Sequence, residues 1–301
     1  MPIDLKRISS GKEERAPRVL VHGADGIGKT KFAAGAPDPF FIDVNKGSLK
    51  YDVKRMITNS WSEATELVQL IESGAIKCQT VVIDSLSDLE PMGNNEFFPG
   101  TTIDKWDGGY GRGETYALTR WREFLASLER VWAQGKTIIF VAHTQVKHFD
   151  DPTGPGYDRF VLSAREKIAG LIRQWSDYVL FCREEVSQQK VAGDVKAVTS
   201  GVRWAYTKRC PAFDAKSRGT TLFPERFLLS WDEFQKALSA EAERVDALRK
   251  EIDMMLKEIG DKNLNEMVKV YLKSYPDQIV EARNRVAARF EESKQPKEKS
   301  E

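Results

Sequence analysis

The sequence contains few of the residues that build disulfide frameworks, zinc sites or membrane spans. It has three cysteines in 301 residues, at positions 78, 182 and 210, and none forms a Cys-x-x-Cys pair. Neither a disulfide framework nor a zinc site is therefore indicated. The apolar run "TIIFVA" at 137–142 is far too short to span a bilayer, and the N-terminal stretch has no apolar signal-peptide core. We expect a protein of a reducing cytoplasm, with no membrane partner.

An excess of charge of one sign is also missing. Lys and Arg total 46 against 45 Asp and Glu, which gives a net charge of +1. No global field draws the chain to nucleic acid, so any contact with DNA has to come from local patches. The length and the 41% of hydrophobic residues are enough for one large domain and an appendage.

Short apolar runs alternate with stretches of helical periodicity, which is the pattern of an α/β protein with a parallel sheet flanked by helices. Crossover helices are predicted at 62–73 and 114–134, where apolar residues recur at helical spacing. The runs predicted as strands are 19–22, 40–43, 80–84, 137–142 and 178–182.

Two segments, 91–113 and 144–163, are dense in Gly, Pro and Asp and show no clear period. Loops of this length in a compact domain are usually functional or mobile, so we expect two such loops here. After Arg183 the pattern indicates short strands, with a hairpin tip at "AGDVK", 192–196.

The character of the sequence changes at Trp231, where one long amphipathic helix begins that should stop at Gly260. Two further helices are predicted at about 263–274 and 277–291. The predicted domains are thus a core at 1–230, an all-helical region at 231–292 and a disordered tail at 293–301. The apolar stripe of the long helix either packs within its own domain or forms a seam for a partner; sustained heptads are not evident.

A phosphate-binding motif follows the first predicted strand. Residues 23–30 read G-x-x-x-x-G-K-T between a strand and a helix, which is the context that confirms this motif. Lys29 would neutralise the β- and γ-phosphates of ATP, and Thr30 would ligate Mg²⁺. ATP and Mg²⁺ are therefore the expected cofactors. The residues predicted to contact the nucleotide are Gly23, Ala24, Asp25, Gly26, Ile27, Gly28, Lys29, Thr30 and Lys31.

Two further predicted strands end in residues of chemical interest. Asp84 closes "TVVID" at the carboxyl edge of the sheet, where a carboxylate can hold Mg²⁺, although a lone Asp there is often a turn residue. His143 closes the strand at 137–142. It either senses the γ-phosphate or is a structural histidine whose polar atoms are satisfied at the sheet edge. His22, inside the first strand, is interpreted as structural.

Several longer stretches carry a resemblance to a known family. They include "PRVLVHGADGIGKTKFAAGAPDPFFI", "TVVIDSLSDLEP", "GGYGRG", "AHTQVKHFDDPTGPGYDRF" and "YTKRCPAFDAKSRG". The chain resembles the RecA-core ATP-binding proteins of bacteriophages, a P-loop AAA/RecA-like group that includes phage single-strand annealing proteins. The resemblance extends to about Trp231. It implies a RecA-like fold and an ATPase of DNA recombination that works in the cytoplasm of a bacterial host.

The resemblance also implies partners and roles for individual residues. Subunits would assemble side by side as a homo-oligomer, hold ATP at their boundaries and bind single-stranded DNA. Lys29, Thr30, Asp84 and His143 keep the roles given above, and Lys216 and Arg218 fall where cations reach the ATP of a neighbouring subunit. A solvated basic turn is the alternative for these two cations.

The two unassigned segments fall where the family places its DNA-facing loops. They combine cations with aromatic rings, which suits single strands because bases stack on rings and phosphates meet Lys or Arg. Acidic residues in the same segments weaken the case, and ordinary mobile or protein-binding loops are the alternative. The candidates are Lys105, Trp106, Tyr110 and Arg112 in the first segment, and Lys147, His148, Tyr157 and Arg159 in the second.

One position departs from the family pattern. Related phage proteins usually have a glutamate where this chain has Asn45, and in RecA-type ATPases that glutamate is taken to orient or deprotonate the attacking water. An amide can position water but cannot accept its proton. We therefore expect slow hydrolysis, with Asp43 as a possible substitute base, and we expect Asn45→Glu to raise turnover.

Two functions remain open at this point. The first is an oligomeric, ATP-dependent protein of phage recombination or single-strand annealing that binds single-stranded DNA and hydrolyses ATP weakly. The second is a nucleotide-gated interaction module with negligible hydrolysis. Its C-terminal helices would recruit a replication or repair partner, such as a single-strand-binding protein.

Overall fold

The computed structural model describes residues 15–191, 194–219 and 222–294. In chain order the strands are β1 (Arg18–Gly23), β2 (Pro39–Asp43), β3 (Lys54–Ile57), β4 (Thr80–Asp84), β5 (Thr137–Phe149), β6 (Tyr157–Leu162), β7 (Tyr178–Val191), β8 (Asp194–Tyr206), β9 (Lys216–Ser217) and β10 (Arg226–Leu228). The helices are α1 (Lys29–Ala34), α2 (Trp61–Glu72), α3 (Leu86–Phe97), α4 (Arg112–Ala133), α5 (Glu166–Trp175), α6 (Trp231–Ile259), α7 (Lys262–Ser274) and α8 (Ile279–Lys294).

The fold is mixed α/β, with a mostly parallel central sheet flanked by helices and a helical region at its C-terminal end, as the sequence predicts. The chain divides into two compact units. The first holds the described residues up to Val19 together with Pro37–Phe140, and the second holds Leu20–Ala36 together with the described residues from Val141 onward. Strands β1 and β5 contribute residues to both units.

The first unit contains the parallel part of the sheet. Its strand order is β5-β4-β2-β3, and β2 pairs in parallel with both β3 and β4. Every residue of β4 is buried, as expected for a parallel strand covered on both faces. An aromatic cluster supports the helices of this unit: the Trp61 ring lies 4.7 Å from that of Trp121 and 5.0 Å from that of Phe124.

The second unit combines the end of β1 and α1 with two antiparallel hairpins. Its strand order is β10-β8-β7-β1-β5, with β6 paired to β5 and β9 paired to β7. The segment 144–163, predicted as a loop, is instead largely the hairpin of β5 and β6. The short strands predicted after Arg183 are one long hairpin, because β7 and β8 stay paired from Phe181 to Val191. Residues 192 and 193 of the predicted tip lie outside the described part of the chain.

The segment 91–113, also predicted as a loop, is partly helical. α3 extends to Phe97, α4 begins at Arg112, and a single 3₁₀ turn covers Trp106–Gly108. Gly113 accounts for the tight connection, because a Cβ there would lie 2.1 Å from the carbonyl oxygen of Ile103. A prediction based on hydrophobic periodicity cannot detect close backbone packing of this kind.

The helical region begins and ends its long helix where the sequence predicts. Ser230 caps α6 by accepting from the Glu233 backbone N–H, and Gly260 ends it in the left-handed conformation at φ 68°. The stripe of α6 packs within the chain, since Val245, Ile252 and Met255 share a core with α8. α8 continues to Lys294, and the rest of the predicted tail, 295–301, lies outside the described residues. No described helix is long and apolar enough to cross a membrane.

Candidate nucleotide-binding site

The phosphate loop connects β1 to α1 in the second unit. Gly26 and Gly28 have φ angles of +73° and +110°, a region that residues with a Cβ rarely adopt. Gly23 is required for a different reason, because a Cβ on it would lie 2.5 Å from the carbonyl oxygen of Cys182 in β7. The loop therefore depends on glycine both for its turn and for its close approach to the neighbouring strand.

Lys29 is buried beneath this loop. Its Nζ donates to the carbonyl oxygens of Gly23 at 2.9 Å and Ala24 at 2.8 Å, so the ammonium group spans the start of the loop. Ala24, Asp25 and Gly26 are exposed. The Lys29 ammonium group thus lies beneath a loop whose residues 24–26 face solvent, an arrangement suited to binding a triphosphate.

His143 contacts the phosphate loop directly. Its Nδ1 lies 2.5 Å from Oδ1 of Asp25, and the Asp25 side chain is 88% exposed. The sequence predicts at His143 either a γ-phosphate sensor or a residue satisfied at the sheet edge. The contact with the phosphate loop agrees with the sensor role, which stays a prediction. Asp25 as its partner was not foreseen, because the motif leaves that position unspecified.

A cavity of about 340 Å³ opens beside the phosphate loop. Residues 24–27 of the loop form one wall, and the β5–β6 and β7–β8 hairpins supply the others through Val146, Phe160, Phe181 and Arg183. The Arg183 guanidinium lies 5.9 Å from the centre of the Phe160 ring. The cavity is thus lined by two aromatic side chains and a cation, a combination suited to a planar base.

A group of carboxylates lies at the ends of β2 and β4 in the first unit. Asp43 and Asp84 are register partners on these parallel strands, and both are buried. Asp43 is used to turn the chain: it accepts from the backbone N–H groups of Gly47 and Ser48, each at 3.2 Å, and from the Ser48 hydroxyl at 2.5 Å. The Asp43 carboxylate is therefore fixed in the turn after β2.

Asn45 is held on both sides of its amide. Its Oδ1 accepts from the Gly47 N–H at 2.9 Å, and its Nδ2 donates to Oδ2 of Asp88 at 3.1 Å. Asp88 also accepts from the Ser85 hydroxyl. The sequence analysis missed Asp88, although an acidic residue in the first turn of the helix that follows the strand ending at Asp84 was a usable signal.

The motifs predict Thr30 and Asp84 as ligands of Mg²⁺, and this stays a prediction. Among the residues that the structure describes, no group of three or more His, Cys, Asp or Glu side chains is placed to hold a metal. Mg²⁺ in nucleotide sites usually takes one or two carboxylates and completes its shell with phosphate and water. The Thr30 hydroxyl and the Asp84 carboxylate are each oxygen donors of the kind that Mg²⁺ prefers.

Comparison with known proteins identifies the domain. A model of AAA domains, the AAA_24 family, matches residues 15–219, which is more than half of the chain. The chain belongs to this AAA domain family.

The relatives of this AAA domain include a prophage protein. The SPbeta prophage-derived uncharacterized protein YorG of Bacillus subtilis (strain 168) is 23% identical over 271 residues, 87% of this chain and 77% of its own length. Among solved structures, flagellar accessory protein FlaH from Methanocaldococcus jannaschii matches 62% of this chain and 77% of its own with 13% identity and a TM-score of 0.32. That likeness is too distant to bear on function.

The family match makes residues 15–219 an AAA-type P-loop NTPase domain, a class that generally binds a nucleotide with Mg²⁺. It supports the broad part of the resemblance drawn from the sequence. Recombination and single-strand annealing stay predictions.

The predicted intersubunit cations of the AAA domain cap a helix in this structure. The Lys216 Nζ donates to the carbonyl oxygens of Arg173, Gln174 and Ser176, at 2.8, 3.2 and 2.6 Å. Arg218 donates to the Gln174 carbonyl oxygen and pairs with Asp177 at 3.2 Å. Both side chains lie at the C-terminal end of α5, where cations suit the helix dipole. A reach to another subunit would require them to leave these carbonyls.

The DNA-contact candidates fall on two separate elements. In the first unit Trp106 stacks on Tyr116 with ring centres 5.0 Å apart, Tyr110 is 99% exposed, and Arg112 pairs with Asp107 at 3.2 Å. Lys105 is exposed. Tyr110 thus presents a free aromatic face to solvent.

The second set lies on the β5–β6 hairpin. Lys147 is exposed, and His148 contacts Asp158 at 3.0 Å. Tyr157 lies beside Phe149, with ring centres 5.4 Å apart. Arg159 is buried and pairs with Asp214 at 2.7 Å, so its charge is neutralised within the second unit.

His22 is a buried structural residue, as the sequence indicates. Its Nε2 lies 2.8 Å from the Asp214 carbonyl oxygen and therefore donates, while Nδ1 accepts from the Thr144 hydroxyl at 3.1 Å. Burial lowers the pKa of His22 to about 4. The neutral ring joins β1 to β5 just before the phosphate loop.

This burial predicts a loss of stability in acid. The unfolded chain binds a proton at His22 below pH about 6.5, whereas the folded chain does so only near pH 4. The free energy of unfolding should therefore fall by about 3 kcal/mol between these values because of this residue. Urea unfolding at pH 7.5, 6.0 and 5.0 should show a shallower decline for His22→Gln than for the wild type, and His148→Gln is the exposed control. Equal slopes for His22→Gln and the wild type would contradict this prediction.

Proposed function

We propose that this AAA domain protein is an ATP-binding, Mg²⁺-dependent, slow ATPase of phage DNA recombination or single-strand annealing. The observation that carries the proposal is the phosphate loop, with Lys29 buried beneath an exposed glycine turn. In this assignment residues 23–31 hold the triphosphate, Thr30 and Asp84 hold Mg²⁺, and His143 reads the γ-phosphate through its contact with Asp25.

Single-stranded DNA is the proposed polymeric partner. The β5–β6 hairpin supports this role, because it carries Lys147 and His148 and also lines the cavity beside the phosphate loop with Val146 and Phe160. A base seated in that cavity would meet the Phe160 side chain and the Arg183 guanidinium. Since the loop forms one wall, occupancy of the cavity and of the nucleotide site would be linked.

Assembly into a homo-oligomer is part of the same proposal. Arg218 is half exposed and Lys216 lies beside it, so exchange of the α5 carbonyls for a neighbour's phosphate would couple assembly to the nucleotide. A single-strand-binding protein is a further proposed partner.

The test is ATP turnover and particle size, each measured with and without single-stranded DNA. We expect slow turnover that DNA stimulates, and a larger assembly with ATP or a slowly hydrolysed analogue than without nucleotide. Lys147→Glu should reduce the stimulation by DNA while basal turnover persists, with Lys236→Glu on the exposed face of α6 as the matched control. Turnover indifferent to DNA would contradict the DNA role.

A second candidate function has one observation in its favour. Met267 and Val270 on α7 are 69% and 63% exposed, which is unusual for apolar residues at helical spacing. They are consistent with an interaction module in which ATP binding gates the recruitment of a replication or repair partner. ATP-dependent capture of such a partner, with turnover negligible and indifferent to DNA, would favour this function over the first.

A further inference from the structure

Strand β8 brings a cation close to the phosphate loop. Nη1 of Arg203 lies 3.4 Å from the position that a Cβ on Gly28 would take. The Leu229 side chain lies 3.7 Å from the same position, and the Leu229 N–H donates to the Arg203 carbonyl oxygen at 2.9 Å. All three residues belong to the second unit. The head group of an arginine therefore lies against the glycine that precedes Lys29 in the loop.

A carboxylate of the neighbouring strand holds the Arg203 side chain. The Arg203 Nε donates to Oε1 of Glu184, its register partner on β7, at 3.2 Å. The Thr199 hydroxyl donates to the other carboxylate oxygen, also at 3.2 Å. The Arg203 and Glu184 side chains are 44% and 33% exposed. Because water reaches this ion pair, it contributes little to stability, and the guanidinium can exchange Glu184 for another anion at little cost.

The chemistry of the loop indicates which anion the guanidinium would bind. A phosphate-binding loop directs its backbone N–H groups toward the phosphates of a nucleotide. A guanidinium donates parallel hydrogen bonds to phosphate oxygens, and its charge makes them stronger than neutral hydrogen bonds. A triphosphate carries more negative charge than one carboxylate, so the exchange is favoured by Coulomb energy.

We propose that Arg203 is a further nucleotide-binding residue, which contacts phosphate oxygens of the nucleotide held by residues 23–31, and that Glu184 competes for its guanidinium. This role deepens the proposed ATP-binding function and rests on it. The cation belongs to the chain that carries the loop, so it acts without a neighbouring subunit. The strand pattern of the sequence does not single out Arg203, because β8 reaches the loop only through its pairing with β7 in the folded chain.

The alternative to phosphate binding is a packing role, in which the ion pair of Arg203 and Glu184 only braces the loop. The two roles predict opposite effects for the loss of Glu184. If the pair braces the loop, removal of either charge should lower the affinity for ATP. If Arg203 binds phosphate, removal of the Glu184 charge releases the guanidinium and should raise the affinity for ATP.

The experiment is calorimetric titration of the full chain with ATP and Mg²⁺, with thermal melting as a check of folding. Arg203→Gln should lower the affinity for ATP at least about tenfold, as the loss of a hydrogen bond between charged groups does. Glu184→Gln should raise the affinity about two- to fivefold, the range that an exposed ion pair contributes. Arg203→Lys keeps the charge but not the planar fork, so its affinity should lie between those of the wild type and Arg203→Gln.

Two controls accompany these variants. Arg226 forms a pair of the same kind with Glu185, at 3.5 Å and with side chains 42% and 43% exposed, so Arg226→Gln should bind ATP like the wild type. The double variant Arg203→Gln with Glu184→Gln excludes a general effect of charge. It should bind ATP no better than Arg203→Gln alone, because Glu184 acts through the guanidinium.

Failure of this role differs from failure of the proposed function. Wild-type affinity for ATP no higher than that of a Lys29→Met variant would overturn ATP binding and the role of Arg203 with it. Wild-type binding that Arg203→Gln leaves unchanged, or that Glu184→Gln lowers, would overturn the role of Arg203 alone. If Arg203→Gln fails to fold, Glu184→Gln decides by the sign of its effect, and Arg203→Lys should still bind ATP more weakly than the wild type.

Discussion

Replacement of Lys29 by methionine should abolish measurable binding of ATP. The methionine keeps an apolar stem under the loop and removes only the ammonium group, which in the structure donates to the carbonyl oxygens of Gly23 and Ala24. When a triphosphate enters, the same donors would turn to the β- and γ-phosphates. We expect affinity to fall by at least about 100-fold, which corresponds to roughly 3 kcal/mol of binding free energy.

Calorimetric titration with ATP and Mg²⁺ measures this effect, and thermal melting checks that the variant is folded. Lys236→Met is the matched control, because Lys236 is an exposed lysine of α6 paired only with Glu233 in the contacts described. It should bind ATP like the wild type. Retained affinity in Lys29→Met would remove the basis for the nucleotide site and for the function proposed from it.

Replacement of Gly23 by alanine should damage both stability and nucleotide binding. The added Cβ would lie 2.5 Å from the carbonyl oxygen of Cys182 and 3.0 Å from its Cβ. The first of these atoms belongs to the backbone of β7, so no side-chain rotation can relieve the clash and a strand has to move. Overpacking of this kind typically costs about 1–3 kcal/mol.

Because the phosphate loop continues directly from β1, any shift of β1 away from β7 moves the loop as well. We therefore expect Gly23→Ala to lower ATP affinity by at least about tenfold, in addition to its effect on the free energy of unfolding. Gly154→Ala is a suitable control, because no atom lies within 4 Å of a Cβ at that position and its φ is not in the left-handed region. The control should stay within about 1 kcal/mol of the wild type. Equal urea midpoints for the two variants would contradict the packing argument.

Short-range patterns carried most of what the sequence predicted correctly. The strands at 80–84 and 40–43 were predicted because continuous β-branched and aromatic runs suit a strand buried on both faces. The end of α6 at Gly260 was predicted because glycine adopts the left-handed cap that stops a helix. Each of these features is set by residues within a few positions of one another.

The predictions that were wrong concern contacts between distant residues. The segment 144–163 looked like a loop because Gly, Pro and Asp at its centre concealed the pairing of β5 with β6 on either side. Helix α3 was missed because it contains Pro91 and Gly93, which both disfavour a helix. Glycine stands at position 93 because the Trp61 ring packs against it, 2.8 Å from where a Cβ would lie. Tertiary packing overrides local propensity at such positions.

Consecutive residues determine the phosphate loop of this protein and indicate its family. The motif G-x-x-x-x-G-K-T requires a turn that its own glycines permit. The sequence also showed that a carboxylate is missing at position 45. It could not show what Asn45 does, because its partner Asp88 lies 43 residues away and meets it only when β2 and β4 pair. Pairing of parallel strands is a long-range event, so the placement of carboxylates at their ends belongs to the folded chain.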